Sequence, residues 1–212
     1  SINKLSKING LSDFGVSVLR HNNYNDKIFI GYTNTNIDII DNKGRITNIS
    51  DIKNKNILGN KTINDVYFID DLAYVCCGFG IVVVDITKME IRDTYIIGND
   101  NTYVNVNDIT LYDNKLYAAT SRGVIFADYD NPNLADHSQW QLDRSMIHDL
   151  VNYSEIETFN GRLIANYSEN KYNTDTMFVH DGTSWDYFLK DDNSIKREIK
   201  AYDDRLILSK HY

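Results

Sequence analysis

The chain is poor in cysteine and proline and has no long apolar run. Its 212 residues include two cysteines and one proline. Cys76 and Cys77 are neighbours, and adjacent residues of a strand point to opposite faces. Bridging them would bring their Cα atoms below the roughly 4.4 Å minimum of ordinary disulfides. Two buried thiols are therefore expected, and neither a disulfide framework nor a zinc set is available. His21, His137, His148, His180 and His211 form no close pair at ligand spacing, so no metal site is expected. There is no Gly-x-Ser-x-Gly elbow, which leaves a hydrolase without a nucleophile. No stretch is apolar for long enough to span a membrane, and no charged-then-apolar start reads as a signal peptide. Positive charge is scarce as well. The 22 Lys and Arg stand against 30 Asp and Glu, for a net charge of −8, and no basic cluster offers a landing surface for nucleic acid or anionic lipid.

What the chain does have is a copy of itself. Ile63-Asn64-Asp65-Val66 and the run to Asp85 return as Val106-Asn107-Asp108-Ile109 and the run to Asp128. Val66 and Ile109, Tyr74 and Tyr117, Gly80 and Gly123, and Asp85 and Asp128 all stand 43 residues apart. A period of that size, filled with short alternating runs, is that of a four-stranded β-propeller blade. Ile156 and Ile199 continue the series, and Asp26 to Asp41 matches the same pattern upstream. The expectation is an all-β propeller of antiparallel four-stranded blades, about five of them, starting near residues 16, 63, 106, 155 and 196.

Within one copy, Ile109-Thr110-Leu111-Tyr112 alternates as a strand. Asp113-Asn114 then reverses the chain, since both side chains tolerate positive φ. Leu116 to Ala119 and Val124 to Ala127 are the next strands, with Ser121-Arg122-Gly123 as the turn between them. The outer strand is the least regular, and Pro132 sits in a loop where its missing donor costs nothing. Residues 1–8 read as the outer strand of a preceding or shared blade, and two inner strands close the chain. Residues 1–212 are thus one propeller domain, its ends completing a shared blade, or a slice of a larger propeller.

Several features that mimic chemistry have simpler readings. Cys77-Gly78-Phe79-Gly80 resembles a nucleotide loop, but a strand follows it, so no helix N-terminus is there to hold phosphate. Asp70-Asp71, Asp191-Asp192 and Asp203-Asp204 fall at hairpin turns and read as solvated turns rather than acid/base pairs. Asp41-Asn42-Lys43-Gly44 lacks the further acidic ligands of a calcium loop. No cofactor is expected, and nothing marks an enzyme.

Asn9-Gly10-Leu11-Ser12-Asp13, Val16-Ser17-Val18, Asp26 to Gly31 and Asn36 to Asp41 resemble the two-component-regulator propeller repeat of bacterial sensors. The stretches Asn48 to Ile52, Cys77 to Asp85, Tyr103 to Ile109, Leu116 to Thr120 and Ser138-Gln139-Trp140 resemble, more specifically, the N-terminal propeller of the PorZ family of the Bacteroidetes type IX secretion system. The likeness is dense from Lys4 to Trp140 and thins beyond. It implies part of a large exported protein with two propellers and a C-terminal β-sandwich. Such a protein would be a non-catalytic platform at the outer membrane surface, working with secretion-system proteins including the surface sortase and with anionic lipopolysaccharide. The alternative is the periplasmic, glycan-sensing propeller of a hybrid two-component regulator.

Fifteen tyrosines and two tryptophans remain to be placed. Tyr74, Tyr117, Phe29 and Phe126 fall on strands and are expected in the core. Loop residues are the candidates for recognition, because binding groups collect on the loops of rigid scaffolds. Asn34, Phe79, Tyr103, Arg122 and Lys171 are expected to share a rim, with Tyr167 and Tyr172 as further loop aromatics.

Overall fold

The computed structural model describes residues 4–168, 175–189 and 195–211. The chain divides into two compact units, Ser1–Tyr95 and Ile96–Tyr212. In the first, β1 (Val16–Asn22), β2 (Lys27–Tyr32), β3 (Ile37–Ile40) and β4 (Ile46–Ile49) form one sheet, and β5 (Ile63–Ile69), β6 (Leu72–Cys77), β7 (Gly80–Asp85) and β8 (Glu90–Tyr95) another. The second unit has β9 (Val106–Tyr112), β10 (Lys115–Thr120), β11 (Gly123–Asp128) and β12 (Gln141–Leu142), then β13 (Tyr153–Phe159), β14 (Arg162–Ser168), β15 (Asp175–His180) and β16 (Trp185–Leu189). It closes with the pair β17 (Ile195–Tyr202) and β18 (Arg205–His211). Every sheet is an antiparallel meander in chain order, the build of a propeller blade. Among the described residues, helix is confined to one α-turn at Asp51–Asn54 and three short 3-10 turns.

The repeat is visible strand by strand. β5, β6 and β7 recur as β9, β10 and β11 at the 43-residue interval, and Gly80 and Gly123 open equivalent third strands with φ of 146° and 108°. The middle strands are buried on both faces, which is why Gly80-Ile81-Val82-Val83-Val84 reads as a continuous apolar run rather than an alternation. The copies part at the outer strand, a full strand at Glu90–Tyr95 but only Gln141–Leu142 in the next sheet. Asp113 and Asn114 both take positive φ, as a type I′ hairpin requires, and Asp70 and Asp203 each take it at the first turn position. Asp191-Asp192 lies outside the described residues.

Successive sheets are tied by side chains on their first strands. Arg20 Nη2 on β1 donates to Asp65 Oδ2 on β5 at 3.1 Å, and Asn22 Nδ2 donates to the Asp70 carbonyl at 2.8 Å. In the second unit, the Ile156 amide donates to Asp108 Oδ2 at 3.1 Å, and the Ile199 amide to Glu155 Oε2 at 3.3 Å. Asp108 and Glu155 thus each take the backbone donor of an apolar residue within the first strand of the next sheet. Apolar packing fills the space behind these bonds, with Tyr117, Val124, Met146, Tyr153, Phe178 and Trp185 in one cluster. Tyr74 and Phe29 are buried like Tyr117, and Phe126 is half-buried against that cluster.

The expected strand over residues 1–8 does not form in its described part. Lys7–Asn9 is a 3-10 turn, because the Ser6 amide and hydroxyl both donate to Asn9 Oδ1 and Asn9 Nδ2 donates to the Lys4 carbonyl. The segment is latched onto the first sheet instead. Asp13 accepts from Lys53 Nζ at 2.8 Å and from Asn34, with Lys7 Nζ at 3.4 Å. Asp38, buried below, accepts from the Ser12 amide at 2.7 Å, Tyr32 Oη at 2.6 Å and Asn48 Nδ2 at 2.8 Å.

Candidate recognition face

The residues singled out by sequence separate by unit and by exposure. Asn34 lies on the β2–β3 loop of the first unit and is exposed, but its side chain is engaged, donating to Asp13 and accepting from the Asn36 amide at 3.1 Å. Phe79 is not a rim residue. It is 1 % exposed, because the segment before β5 folds across its hairpin: the Gly78 amide donates to the Thr62 carbonyl at 3.0 Å, and a Cβ on Gly78 would stand 2.6 Å from the Asn60 carbonyl oxygen. A turn covered by chain puts its aromatic ring into the core. Lys171 and Tyr172 lie outside the described residues. In the second unit Tyr103, 47 % exposed, and Arg122 are surface groups, while Tyr167 is half-buried.

Arg122 and the segment carrying Tyr103 come together around a pocket of about 130 Å³. One wall is the loop that precedes β9, from Gly98 to Val104. Its shape is fixed locally. Gly98 pairs with Thr102, a Cβ on Gly98 would fall 2.3 Å from the Thr102 carbonyl oxygen, and Asp100 and Asn101 take left-handed φ of 55° and 58°. The Thr102 hydroxyl donates to the Asn99 carbonyl at 2.7 Å. The opposite wall is the β10–β11 turn, where the Arg122 amide donates to Thr120 Oγ1 at 3.0 Å and the Ser121 amide to the Asn105 carbonyl at 2.9 Å. Val104, Ile125 and Leu142 make the floor apolar, and Leu150 supplies the lip.

Leu150 arrives on residues 143–152, a connection whose role sequence reasoning did not anticipate. The Asp143 amide pairs with the Val124 carbonyl at 2.8 Å. Its carboxylate accepts from the Ser145 amide at 2.9 Å and from Trp185 Nε1 at 2.9 Å. Arg144 and Asp149 close the loop with a 2.7 Å ion pair, and Tyr153 Oη donates to the His148 carbonyl at 2.8 Å. The ring of His148 packs against Tyr167 with centroids 5.1 Å apart and planes tilted by 35°, so one pinned loop joins the Arg122 pocket to Tyr167. Leu150 stays 61 % exposed, and Ile147, three residues earlier, is exposed as well. Apolar residues inside a polar loop, outside any strand alternation, were the available signal.

The electrostatics of the buried groups is structural. Burial and then the Asp143 charge push the Tyr117 hydroxyl up to about 12, and burial pushes the Cys77 thiol up. Burial also raises Asp38, but the Ser12 amide, Tyr32 hydroxyl and Asn48 amide outweigh it and hold the carboxyl below its usual range. Asp13 is held low first by its hydrogen bond from Lys53. Among the described residues no group of three or more His, Cys, Asp or Glu is placed to hold a metal ion. The pocket lining therefore offers apolar surface and one guanidinium, a combination that binds and orients a ligand.

Comparison with known structures agrees on the architecture. PorZ, described as an essential bacterial surface component of the type-IX secretion system of Porphyromonas gingivalis, is similar with a TM-score of 0.80 at 23 % identity, over 97 % of this chain and 26 % of that one. The extracellular domain of a hybrid two-component system from B. thetaiotaomicron is similar with a TM-score of 0.62 at 13 % identity, over 93 % of this chain and 27 % of that one. That of a one-component system from the same organism gives 0.63 at 17 % identity, over 94 % and 27 %. The chain thus spans about a quarter of the length of each of these structures. No curated protein is significantly similar to it. The sequence profile of the TSS9 PorZ N-terminal β-propeller domain matches residues 1–141. Repeat, sheet order and profile coincide, and the chain belongs to the PorZ N-terminal β-propeller family of type IX secretion.

Proposed function

We propose that the chain is a non-catalytic interaction platform of type IX secretion, acting outside the cytoplasm at the outer membrane surface or in the periplasm. Its partners would be secretion-system proteins, the surface sortase among them, or anionic lipopolysaccharide. The observation that carries this reading is in the second unit, where Arg122 and Leu150 line a pocket on hydrogen-bonded loops and Tyr103 is exposed on the segment that forms one of its walls. Exposed aromatic, aliphatic and arginine side chains on a rigid support are the groups that dominate protein and ligand recognition. Immobilised chain would be offered the cognate surface sortase and the organism's purified lipopolysaccharide in separate channels. At least one should be captured, and Tyr103→Ala combined with Leu150→Asp should weaken capture by about tenfold with an unchanged melting temperature. Capture of neither, or capture indifferent to both substitutions, would sink the reading.

The likeness to extracellular domains of a two-component and a one-component system favours a second reading, the glycan-sensing propeller of a hybrid two-component regulator. Capture of neutral oligosaccharides, with no binding of sortase or lipopolysaccharide, would establish it over the first.

A further inference from the structure

We propose that the Arg122 pocket is a binding site for a small monocarboxylate with a compact apolar body, the ring or branched chain seated between Val104, Ile125 and Leu142 and the carboxylate on the guanidinium. The inference rests on reading this face as a recognition surface and goes beyond it by naming the ligand chemistry of the pocket.

Size comes first. At about 130 Å³ the space is close to the roughly 150 Å³ cavity that takes up benzene, so it suits a body of about six heavy atoms. Chemistry comes second. The floor and lip are aliphatic, and the Thr102 hydroxyl proton is already given to the Asn99 carbonyl. The polar groups left are the neutral side-chain amide of Asn99 and Arg122, the one ionisable group in the lining, whose guanidinium makes no hydrogen bond or ion pair among the described residues. A planar guanidinium takes a carboxylate through two parallel N–H···O bonds. A single cation, with Asp100 on the neighbouring loop and a net charge of −8, suits a monoanion better than a phosphate dianion. The site is also preformed. The Arg122 backbone is fixed by Thr120, and Asp149, which closes the Leu150 loop with Arg144, packs its carbonyl where a Cβ on Gly123 would lie 2.1 Å away.

The test titrates benzoate, benzamide and acetate into ¹⁵N-labelled chain and follows the amides of Gly98, Thr102, Arg122, Gly123 and Leu150. Benzoate should saturate these shifts with a dissociation constant of about 1 mM, in keeping with the ligand efficiency of so small a molecule. Benzamide, which keeps the ring and loses the charge, and acetate, which does the reverse, should each bind at least about tenfold more weakly. Arg122→Gln should bring benzoate down to the level of benzamide, and Leu142→Ala should weaken both. Shifts that stay linear to about 50 mM benzoate, equal binding of benzoate and benzamide, or saturation mapping elsewhere would each overturn the proposal. The outcome is separable from that of the platform. Benzoate that binds while the surface variants leave partner capture intact supports the pocket and removes the platform. Lost capture without benzoate binding removes the pocket alone.

Discussion

Phe79 and Tyr103 both stand between strands, yet one is core and the other surface, and the difference is what crosses over them. The segment before β5 closes over Phe79, so Phe79→Ala should cost about 3–5 kcal/mol in a urea titration, as emptying a buried aromatic site does. Tyr103→Ala should stay within about 0.5 kcal/mol of the parent, as surface changes do. Equal costs would mean that the two side chains have equivalent surroundings. Asp38 makes a sharper case for charge. Its carboxyl is held below the ordinary range, so below about pH 4 the unfolded chain binds a proton that the native chain refuses. The stability it provides is complete above the unfolded value and is lost as pH falls toward the folded one. Asp38→Asn should therefore lower the urea midpoint at neutral pH by more than it does near pH 3. A gap that does not narrow on acidification would show that shape, not charge, is what position 38 supplies.

At the scale of elements, glycines with the same left-handed backbone differ in cost because of their neighbours. Gly123 has φ of 108°, and an added Cβ would meet the Asp149 carbonyl at 2.1 Å and Leu142 Cδ1 at 2.6 Å. Gly161, at φ of 69° in the β13–β14 hairpin, has nothing within 4 Å of the same position. Gly123→Ala should cost at least about 2 kcal/mol and disturb the 143–152 loop, while Gly161→Ala should cost about 1 kcal/mol from backbone strain alone. Chemical denaturation of the two variants checks this, and equal costs would contradict the close approach of Asp149. The repeat made Gly123 visible in sequence as the partner of Gly80. It could not reveal the Asp149 carbonyl, which comes from the connection between β12 and β13, outside the repeated strands. The inter-sheet carboxylates were nearly legible, since Asp65, Asp108 and Glu155 each precede the apolar anchor of a copy. Their acceptor role needed the neighbouring strand in place.

For the molecule as a whole, the burial of Cys76 and Cys77 gives a direct readout of integrity. Both thiols are buried at the end of β6, and the ionisation of Cys77 is suppressed by burial, so neither reacts as a thiolate while the first unit is folded. Thiol reagent should label two sites per chain in denaturant without prior reduction and neither in buffer over the same time. Absence of label in denaturant would mean that the thiols are already oxidised, and rapid label in buffer would contradict the packing of β6.

Strand alternation, turn residues and the 43-residue copy were local properties, set by backbone geometry and by which side chains tolerate a turn, and from them the sequence alone determined an all-β chain of propeller blades. The same pattern placed Tyr74, Tyr117 and Phe29 in the core, because burial on a strand follows its two-residue period. Burial between strands follows no period. It depends on which distant segment covers a loop, and so only the tertiary structure decided that Phe79 is core, that Lys7–Asn9 turn rather than extend, and that Leu150 meets Arg122 across a pocket.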